Sequence, residues 1–432
     1  MTGDLPASRP DWFGQPRGLT ILFLTETWDT FSFYGMRALL VLYMTKHLLL
    51  SQHDASWIYG GYAALVYATP VFGGVVADRW LGRRNAVLLG GAIMAAGHFM
   101  MAFEPMLLPA LATIATGNGL FLPSLPSQID SLYERDDARR KSAYNVYYVG
   151  VNLGGLAAPV VIGTVGELCG FHWGFAIAGL GMIVAMAVYV AGSRYLPPDR
   201  PRTATEIGER VAARPARAIL LRRYALLLAI SAVVVVFRGA YEQMGNTLVL
   251  WADVGVDRAA GASWKIPVTW FQALNPLMVI LLTPALVAWW TRRARAGREP
   301  SSAAKMAVGA TIVGLAYLMV AAISAWARQR GTLVGWPWLA LFMIVMTVGE
   351  LFILPIGLGL FGRLAPQGLG ATTIAIWFSA GVFGNLLAGW IGTLWAPFGP
   401  VAFFGVVGLV ALASAAGLAL LAPRVGRMEQ AA

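Results

Sequence analysis

The chain of 432 residues is 58% hydrophobic and only 12% charged, and its mean hydropathy is +0.65. Soluble domains contain about 25% charged residues, so this composition excludes a soluble globular protein and predicts a polytopic α-helical membrane protein. The net charge of +11 needs no nucleic-acid partner, because the arginines cluster in short loops, as they do in the cytoplasmic loops of membrane proteins.

Long apolar runs predict about twelve membrane-spanning helices, since about 20 apolar residues cross a bilayer. In chain order the predicted spans cover residues 19–50, 56–78, 84–103, 106–133, 140–168, 172–194, 222–252, 264–291, 302–327, 337–363, 368–395 and 398–423. These runs are longer than the ~10-residue alternating strands of an outer-membrane barrel. No cleavage site follows the first run, which indicates a retained span rather than a signal peptide.

The charges of the loops predict the orientation of these spans. Lys and Arg are concentrated after even-numbered spans, whereas the loops after odd-numbered spans hold few beyond Arg258, Arg328 and Arg330. The positive-inside rule therefore places both termini in the cytoplasm. We expect a multi-pass protein of a cell membrane, namely the bacterial inner membrane.

The longest polar stretch, residues 193–223, divides the chain into two halves of about six spans each. The predicted domains are an N-terminal helical bundle at 1–194, a cytoplasmic linker at 195–221 and a C-terminal helical bundle at 222–432. Asn152 stands among glycines in the fifth span, and Asn385 does so in the eleventh, which indicates a duplication. This layout is typical of the major facilitator superfamily fold.

The first span is unusual because it contains Glu26, Asp29 and Arg37 within an apolar run. A charge near the bilayer centre costs about 2.5–3.5 kcal/mol on insertion scales, so three charges in one span point to a function. Glu26 and Asp29 are three residues apart and share a helix face, and Arg37 follows near the same face. The structural alternative is a frayed helix end among the lipid headgroups.

Other kinds of site are not indicated. Cys169 is the only cysteine, which excludes an intrachain disulfide and a cysteine-based metal site. The histidines lie near span ends or in loops without metal-like neighbours, so we predict no metal site. No phosphate loop with a following lysine and no Ser/His/acid arrangement is present, so we expect neither an ATP-driven protein nor an enzyme, and no cofactor.

Several stretches, in order along the chain, resemble signatures of the proton-dependent oligopeptide transporter (POT) family of the major facilitator superfamily. Residues 26–35 are similar to E-x-x-E-R-F-x-Y-Y-G, and residues 73–82 to G-G-x-x-A-D-R-x-L-G. Residues 147–154 are similar to F-Y-x-x-I-N-x-G, and residues 237–243 to F-W-x-x-F-E-Q. Further matches are residues 270–276, 349–352 with 355–358, and 377–385. The chain is identified as a divergent member of this family.

The resemblance implies a carrier with about twelve helices that imports di- and tripeptides or peptide-like solutes with protons, by alternating access and as a monomer. It assigns proton coupling to Glu26, Asp29 and Glu242, and an outer gate to the pair of Arg37 and Glu242. Asp78 and Arg79 lie in the structural loop after the second span. The residues assigned to substrate binding are Tyr34, Tyr67, Asn152, Arg238, Asn275, Glu350 and Trp377, of which Glu350 meets the amino terminus of the peptide.

The departures from the family pattern affect its cations. Thr30 stands where the family has Arg, and Leu122 stands where it has Lys in G-x-G-L-F-K-P. Glu26 and Asp29 are thereby left without their usual partners, and two acids that share a poorly solvated site favour retention of a proton on one of them.

Arg238 stands where the family has Trp, one turn before Glu242 and on its face. We hypothesise that Arg238 supplies the lost cation; the alternative is an arginine that snorkels to the headgroups. Two further functions stay open on the sequence: a carrier of a modified or non-peptide solute with altered proton coupling, and a sensor that no longer transports.

Overall fold

The computed structural model describes residues 10–12, 14–134, 137, 139–198, 217–261, 263–365 and 369–430. Within these ranges, 10 helical segments are long and apolar enough to cross a membrane. Two further long helices, Arg17–Leu42 and Arg83–Met100, bring the number to the predicted twelve. They are less apolar because the first carries the acids and the arginine noted above, and the second begins with two arginines.

By its internal contacts the chain forms two compact units. The N-terminal unit comprises Met1–Leu40 and Ala68–Thr203, and the C-terminal unit comprises Val41–Tyr67 and Ala204–Ala432. The predicted linker at 195–221 falls largely on residues 199–216, which lie outside the described residues. The predicted domain limits, 1–194 and 222–432, therefore stay a prediction.

The first six long helices alternate with short loops and turns. They are α1 (Arg17–Leu42), α2 (Gln52–Val76), α3 (Arg83–Met100), α4 (Leu107–Ser124), α5 (Arg139–Leu168) and α6 (Phe171–Gly192). The C-terminal end of α1 and the first part of α2 belong to the C-terminal unit. Strands β1 (Pro10–Trp12) and β2 (Gln15–Pro16) pair antiparallel before α1.

The core of the N-terminal unit is formed where α3 packs against α4 and α6. Its fully buried side chains include Leu22, Val87, Phe121 and Tyr189. Helix α5 approaches α1 closely at Gly154, where a Cβ would collide with the carbonyl oxygen of Thr27. Small residues permit such an approach between helix backbones in lipid, and this one sets the preceding turns of α5 against α1.

In its described residues, the C-terminal unit contains eight further α-helices. They are α7 (Arg217–Tyr241), α8 (Thr247–Val254), α9 (Trp270–Arg295), α10 (Ser302–Arg330), α11 (Trp336–Leu351), α12 (Leu354–Leu364), α13 (Gly370–Gly392) and α14 (Trp395–Gln430). Helix α10 packs along α14, and α7 packs along α13. Strands β3 (Val256–Asp257) and β4 (Val334–Gly335) pair in parallel.

Two of the predicted spans are interrupted helices. The span predicted at 222–252 is α7, a 3₁₀ turn at Glu242–Gly245, and α8. The span predicted at 337–363 is α11 and α12, and Pro355 lies in the first turn of α12. Proline is tolerated at a helix start but interrupts a helix interior, which explains the second break. Hydropathy indicated neither interruption, because each of these spans remains apolar on average across its break.

Candidate functional site

Two buried carboxyl groups lie together in the N-terminal unit. Glu26 and Asp29, which we call the carboxyl pair, are both 5% exposed. The Tyr147 hydroxyl on α5 donates to Oε2 of Glu26. Thr30, one helical turn after Glu26, directs its hydroxyl at Oε1 from 3.5 Å. The hydrogen-bond donors that face the Glu26 carboxyl group are therefore neutral hydroxyl groups.

The local sequence explains this arrangement. Glu26, Asp29 and Thr30 share one face of α1 through their i, i+3 and i+4 spacing. Tyr147 lies about two turns before Gly154 on the helix whose glycines bring α5 close to α1. The close approach of the two backbones lets a tyrosine side chain reach the carboxylate.

Among the described residues, neither member of the carboxyl pair forms an ion pair with an arginine or lysine. Oδ1 of Asp29 is buried and accepts no hydrogen bond from the part of the chain that the structure describes. Burying a charge without a partner is strongly unfavourable. The sequence predicts two acids without a cation, because Thr30 and Leu122 replace the cations of the family signatures. The described part of the structure shows this arrangement.

Three other predicted residues of the N-terminal unit take no part in the hydrogen bonds described for the carboxyl pair. Tyr34 is 40% exposed and packs edge-on against Phe33. Asn152 is buried, and its Nδ2 donates to the backbone oxygen of Tyr148, 2.8 Å away. Arg37 lies half-buried on α1. The substrate contacts predicted for Tyr34 and Asn152, and the gate predicted for Arg37 with Glu242, stay predictions.

The turn after α2 carries the two charged residues predicted for a structural loop, and the neighbouring loops carry further charges. Asp78 and Arg79 lie in a π-helical turn, Ala77–Leu81, that follows α2. Arg83 donates to the backbone oxygen of Ser127 across 2.8 Å, which ties the start of α3 to the 3₁₀ turn after α4. Outside the spans, Arg139 donates to Asp137 and holds the pKa of that carboxyl below its usual range.

The C-terminal unit contains a second buried charged group. Arg238, in the last turn of α7, is 5% exposed, and its Nη1 lies 3.4 Å from Oε1 of Glu242. The guanidinium also lies over the ring of Tyr67, 4.8 Å from its centroid. An arginine at a helix C-terminus interacts favourably with the helix dipole. The alternative of a snorkelling arginine is wrong, since the side chain is enclosed by protein.

Glu350 lies beside this pair, at the end of α11. Asn275 of α9 donates from Nδ2 to Oε2 of Glu350 at 2.5 Å and to Oγ1 of Thr347 at 3.1 Å. Tyr241 also hydrogen-bonds to the Glu350 carboxyl, which lies within electrostatic reach of Arg238 and Glu242. We call Arg238, Glu242, Asn275 and Glu350 the C-terminal polar cluster. It brings together four of the residues predicted from the sequence.

Trp377 and Tyr67 were predicted as aromatic residues of a cavity. Trp377 is 5% exposed and packs against Phe361, with ring centroids 5.2 Å apart. Tyr67 is half-buried and contacts Arg238 and the ring of Phe378. Tyr67 thus belongs with the C-terminal polar cluster, whereas the role of Trp377 in a cavity stays a prediction.

Three residues of these sites were missed from the sequence. Tyr147, Tyr241 and Thr347 each contribute a hydroxyl group to a predicted residue. Tyr147 had a signal, because it begins the stretch that resembles F-Y-x-x-I-N-x-G and stands in place of the phenylalanine. Thr347 lies three residues before Glu350 on the same helix, so spacing alone would have placed it on that face.

A helical membrane protein with buried acids at helix interruptions, and with half-helices in its spans, has the architecture of a secondary transporter. A model of the POT family matches residues 84–223 and 219–401. The chain therefore belongs to the POT family. It has the major facilitator superfamily fold and is a multi-pass membrane transporter, not an enzyme.

Individual relatives agree with this assignment. A di-/tripeptide transporter of Lactococcus lactis subsp. cremoris is 30% identical over 95% of this chain and 95% of its own length. The peptide transporter YePEPT of Yersinia enterocolitica subsp. palearctica is 31% identical over 88% of each chain. A crystal structure of a variant of the peptide transporter POT in complex with alafosfalin has a TM-score of 0.88 and 29% identity, and 98% of each chain is covered.

Proposed function

We propose that this protein is a proton-coupled symporter of di- and tripeptides or peptide-like solutes that works by alternating access. The relatives' names and the alafosfalin bound to a related transporter support this substrate class. Protons are the coupling ion in this proposal, no cofactor takes part, and the monomer is the functional unit.

The observation that carries the proposal is the position of two acids at helix interruptions in the C-terminal unit. Glu242 begins the 3₁₀ turn between α7 and α8, and Glu350 lies one residue before the end of α11, ahead of α12. Substrate and ion sites of secondary transporters are typically formed by such discontinuous helices near the bilayer midplane. An intramembrane acid that served packing alone would not need these breaks.

The chemistry of the cluster fits the two ends of a peptide. The Glu350 carboxylate is a suitable partner for a substrate ammonium group. Asn275 holds that carboxylate in position, because its amide donates without adding charge. Arg238 offers a planar guanidinium for a substrate carboxylate.

The contact between Arg238 and Glu242 couples this chemistry to protons. In the structure Glu242 competes for the guanidinium from 3.4 Å. A proton on Glu242 would cancel that attraction and release Arg238 to the substrate. Loss of the proton after the substrate has left would restore the pair. The gate proposed for Arg37 with Glu242 would respond to the same proton.

A second candidate function is transport of a carboxyl-blocked or non-peptide solute with altered coupling. The observation in its favour is that Arg238 already pairs with Glu242, while Thr30 and Leu122 provide no charge. A substrate without a carboxylate would need no further cation. This candidate keeps the family and the fold and changes only the cargo.

Uptake into proteoliposomes under an imposed inward proton gradient separates the two candidates. Free di- and tripeptides are compared with their C-amidated forms, in the wild type and in Glu350→Gln. The first candidate predicts uptake of free peptides that Glu350→Gln abolishes, whereas Glu299→Gln, at a loop carboxylate paired with Lys305, retains it. Uptake of amidated or non-peptide solutes alone would favour the second candidate. Binding without any uptake would contradict both and indicate a sensor.

A further inference from the structure

The two oxygens of Glu26 and the buried oxygen of Asp29 have different surroundings. Both oxygens of Glu26 face hydroxyl donors, Tyr147 and Thr30. Oδ1 of Asp29 is buried without a donor within the described chain. Hydrogen bonds to a carboxylate favour its charged form, and an unsatisfied buried atom costs more when the group is charged. The same proton is therefore held more readily by Asp29 than by Glu26.

We propose that Tyr147 is a positioning residue of the coupling site, which keeps the negative charge of the carboxyl pair on Glu26 and its resting proton on Asp29. The proposal rests on the proposed function, because it concerns how the symporter holds its protons. A coupling proton then binds to the Glu26 carboxylate and forms the neutral acid, while the Tyr147 hydroxyl keeps its own proton and remains in contact.

The sequence supports this role for Tyr147. The stretch at residues 147–154 resembles a signature that begins with phenylalanine, which has no hydroxyl, and the position holds tyrosine here. The same chain has Thr30 and Leu122 in place of cations. The neutral hydroxyl of Tyr147 thus donates to Glu26, the acid that lacks the cation of the family signature. A hydroxyl stabilises a carboxylate less than a cation does, so it holds Glu26 in a form that a proton can still reach.

Beyond the carboxyl pair, the titratable or charged side chains of α1 are Arg17 at its start, Tyr34, and Arg37, which follows Asp29 by about two turns. Helix α4 contributes no titratable side chain to this core. Tyr189 of α6 donates to Gln128, and Tyr144 of α5 donates to Asp130. The remaining titratable side chains on the neighbouring segments α3, α5 and α6, away from their loops, are His98, Tyr148, Glu167 and His172. Of the titratable side chains on these helices, Tyr147 is the one that hydrogen-bonds to the carboxyl pair.

Tyr147→Phe removes the hydroxyl and keeps the ring. Without this donor, charged Glu26 is less favoured and holds its proton to a higher pH. We expect the pH profile of uptake in proteoliposomes to move by about one unit to higher pH, a tenfold change in proton affinity. Counterflow exchange of labelled substrate at a fixed, saturating proton concentration should be retained, because it needs no net proton release. An unchanged pH profile would overturn the proposal.

Tyr189→Phe is the matched control. Tyr189 is buried in the same core as Tyr147 and also donates from its hydroxyl, to Oε1 of Gln128 at 2.9 Å. Its loss costs a buried hydrogen bond without touching the carboxyl pair. We expect its pH profile to match that of the wild type, so an equal shift in both variants would mean a purely structural effect and overturn the proposal.

Infrared spectroscopy of the purified full-length protein in lipid tests the location of the proton without transport. At neutral pH we expect a protonated-carboxyl band that Asp29→Asn removes and Glu26→Gln leaves. A band removed by Glu26→Gln instead would overturn the proposal. If the wild type shows no proton-driven uptake, the proposed function fails, and this spectrum still decides which carboxyl holds the proton.

Discussion

Asn275 donates a hydrogen bond to Glu350 across 2.5 Å and thereby joins α9 to the end of α11. The amide is positioned from its other side, because Thr347 accepts a second hydrogen bond from the same Nδ2. A fixed donor orients the carboxylate before a substrate arrives, and such preorganisation reduces the entropy lost on binding.

Asn275→Ala should therefore weaken substrate binding. A hydrogen bond to a charged group contributes about 1.5–3 kcal/mol, so we expect the apparent affinity for a dipeptide to fall about tenfold or more, measured as KM for uptake. Asn85→Ala is the control, since within the described chain the Asn85 amide donates to the backbone oxygen of Leu81, just before its own helix, and not to a carboxylate. Similar KM values for the two variants would contradict a role for Asn275 in binding.

Arg238 and Glu242 form a buried pair, and removal of either partner takes from the other a buried opposite charge that lies 3.4 Å away. We expect Arg238→Gln and Glu242→Gln each to destabilise the protein by about 3 kcal/mol. The double variant should lose clearly less than the sum, because two amides can hydrogen-bond without charge. Thermal unfolding in detergent measures all three. Additive losses would show that the two side chains do not interact.

Much of the C-terminal polar cluster could be predicted from spacing along single helices. Arg238 and Glu242 are four residues apart, so a helix places them on one face whatever the tertiary structure. The structure confirms that placement, with the two side chains in contact. The twelve spans were predictable for a similar reason, since a bilayer imposes the length of each apolar run.

The rest depends on distant parts of the chain and on breaks in helices. Tyr147 reaches Glu26 only because α5 approaches α1 closely, and no local pattern connects residues that are 121 positions apart. The 3₁₀ turn at Glu242–Gly245 lies within a span that is apolar on average. Hydropathy averages over such a turn, so it predicts a span but not the interruption next to the acid.

The approach of α5 to α1 gives a prediction at two glycines. A Cβ at Gly154 would collide with the α1 backbone, whereas one at Gly61 meets nothing within 4 Å. We expect Gly154→Ala to lower the unfolding temperature by several degrees and to separate Tyr147 from Glu26. Gly61→Ala should leave stability unchanged or raise it slightly, because alanine favours the helix by about 1 kcal/mol. Equal unfolding temperatures would contradict the close packing of the two helices.

Leu122 offers a test of how the lost cations set the choice of substrate. It is half-buried on α4, where a longer side chain is more easily accommodated than at buried Thr30. Leu122→Lys restores the charge that the family signature carries at this position. We expect it to raise uptake of free peptides relative to their C-amidated forms by about fivefold, which corresponds to about 1 kcal/mol.

Leu122→Met keeps the volume without the charge and should leave the ratio as in the wild type. Competition uptake with both peptide forms measures this ratio, and an equal change in the two variants would mean that packing, not charge, at position 122 controls the preference.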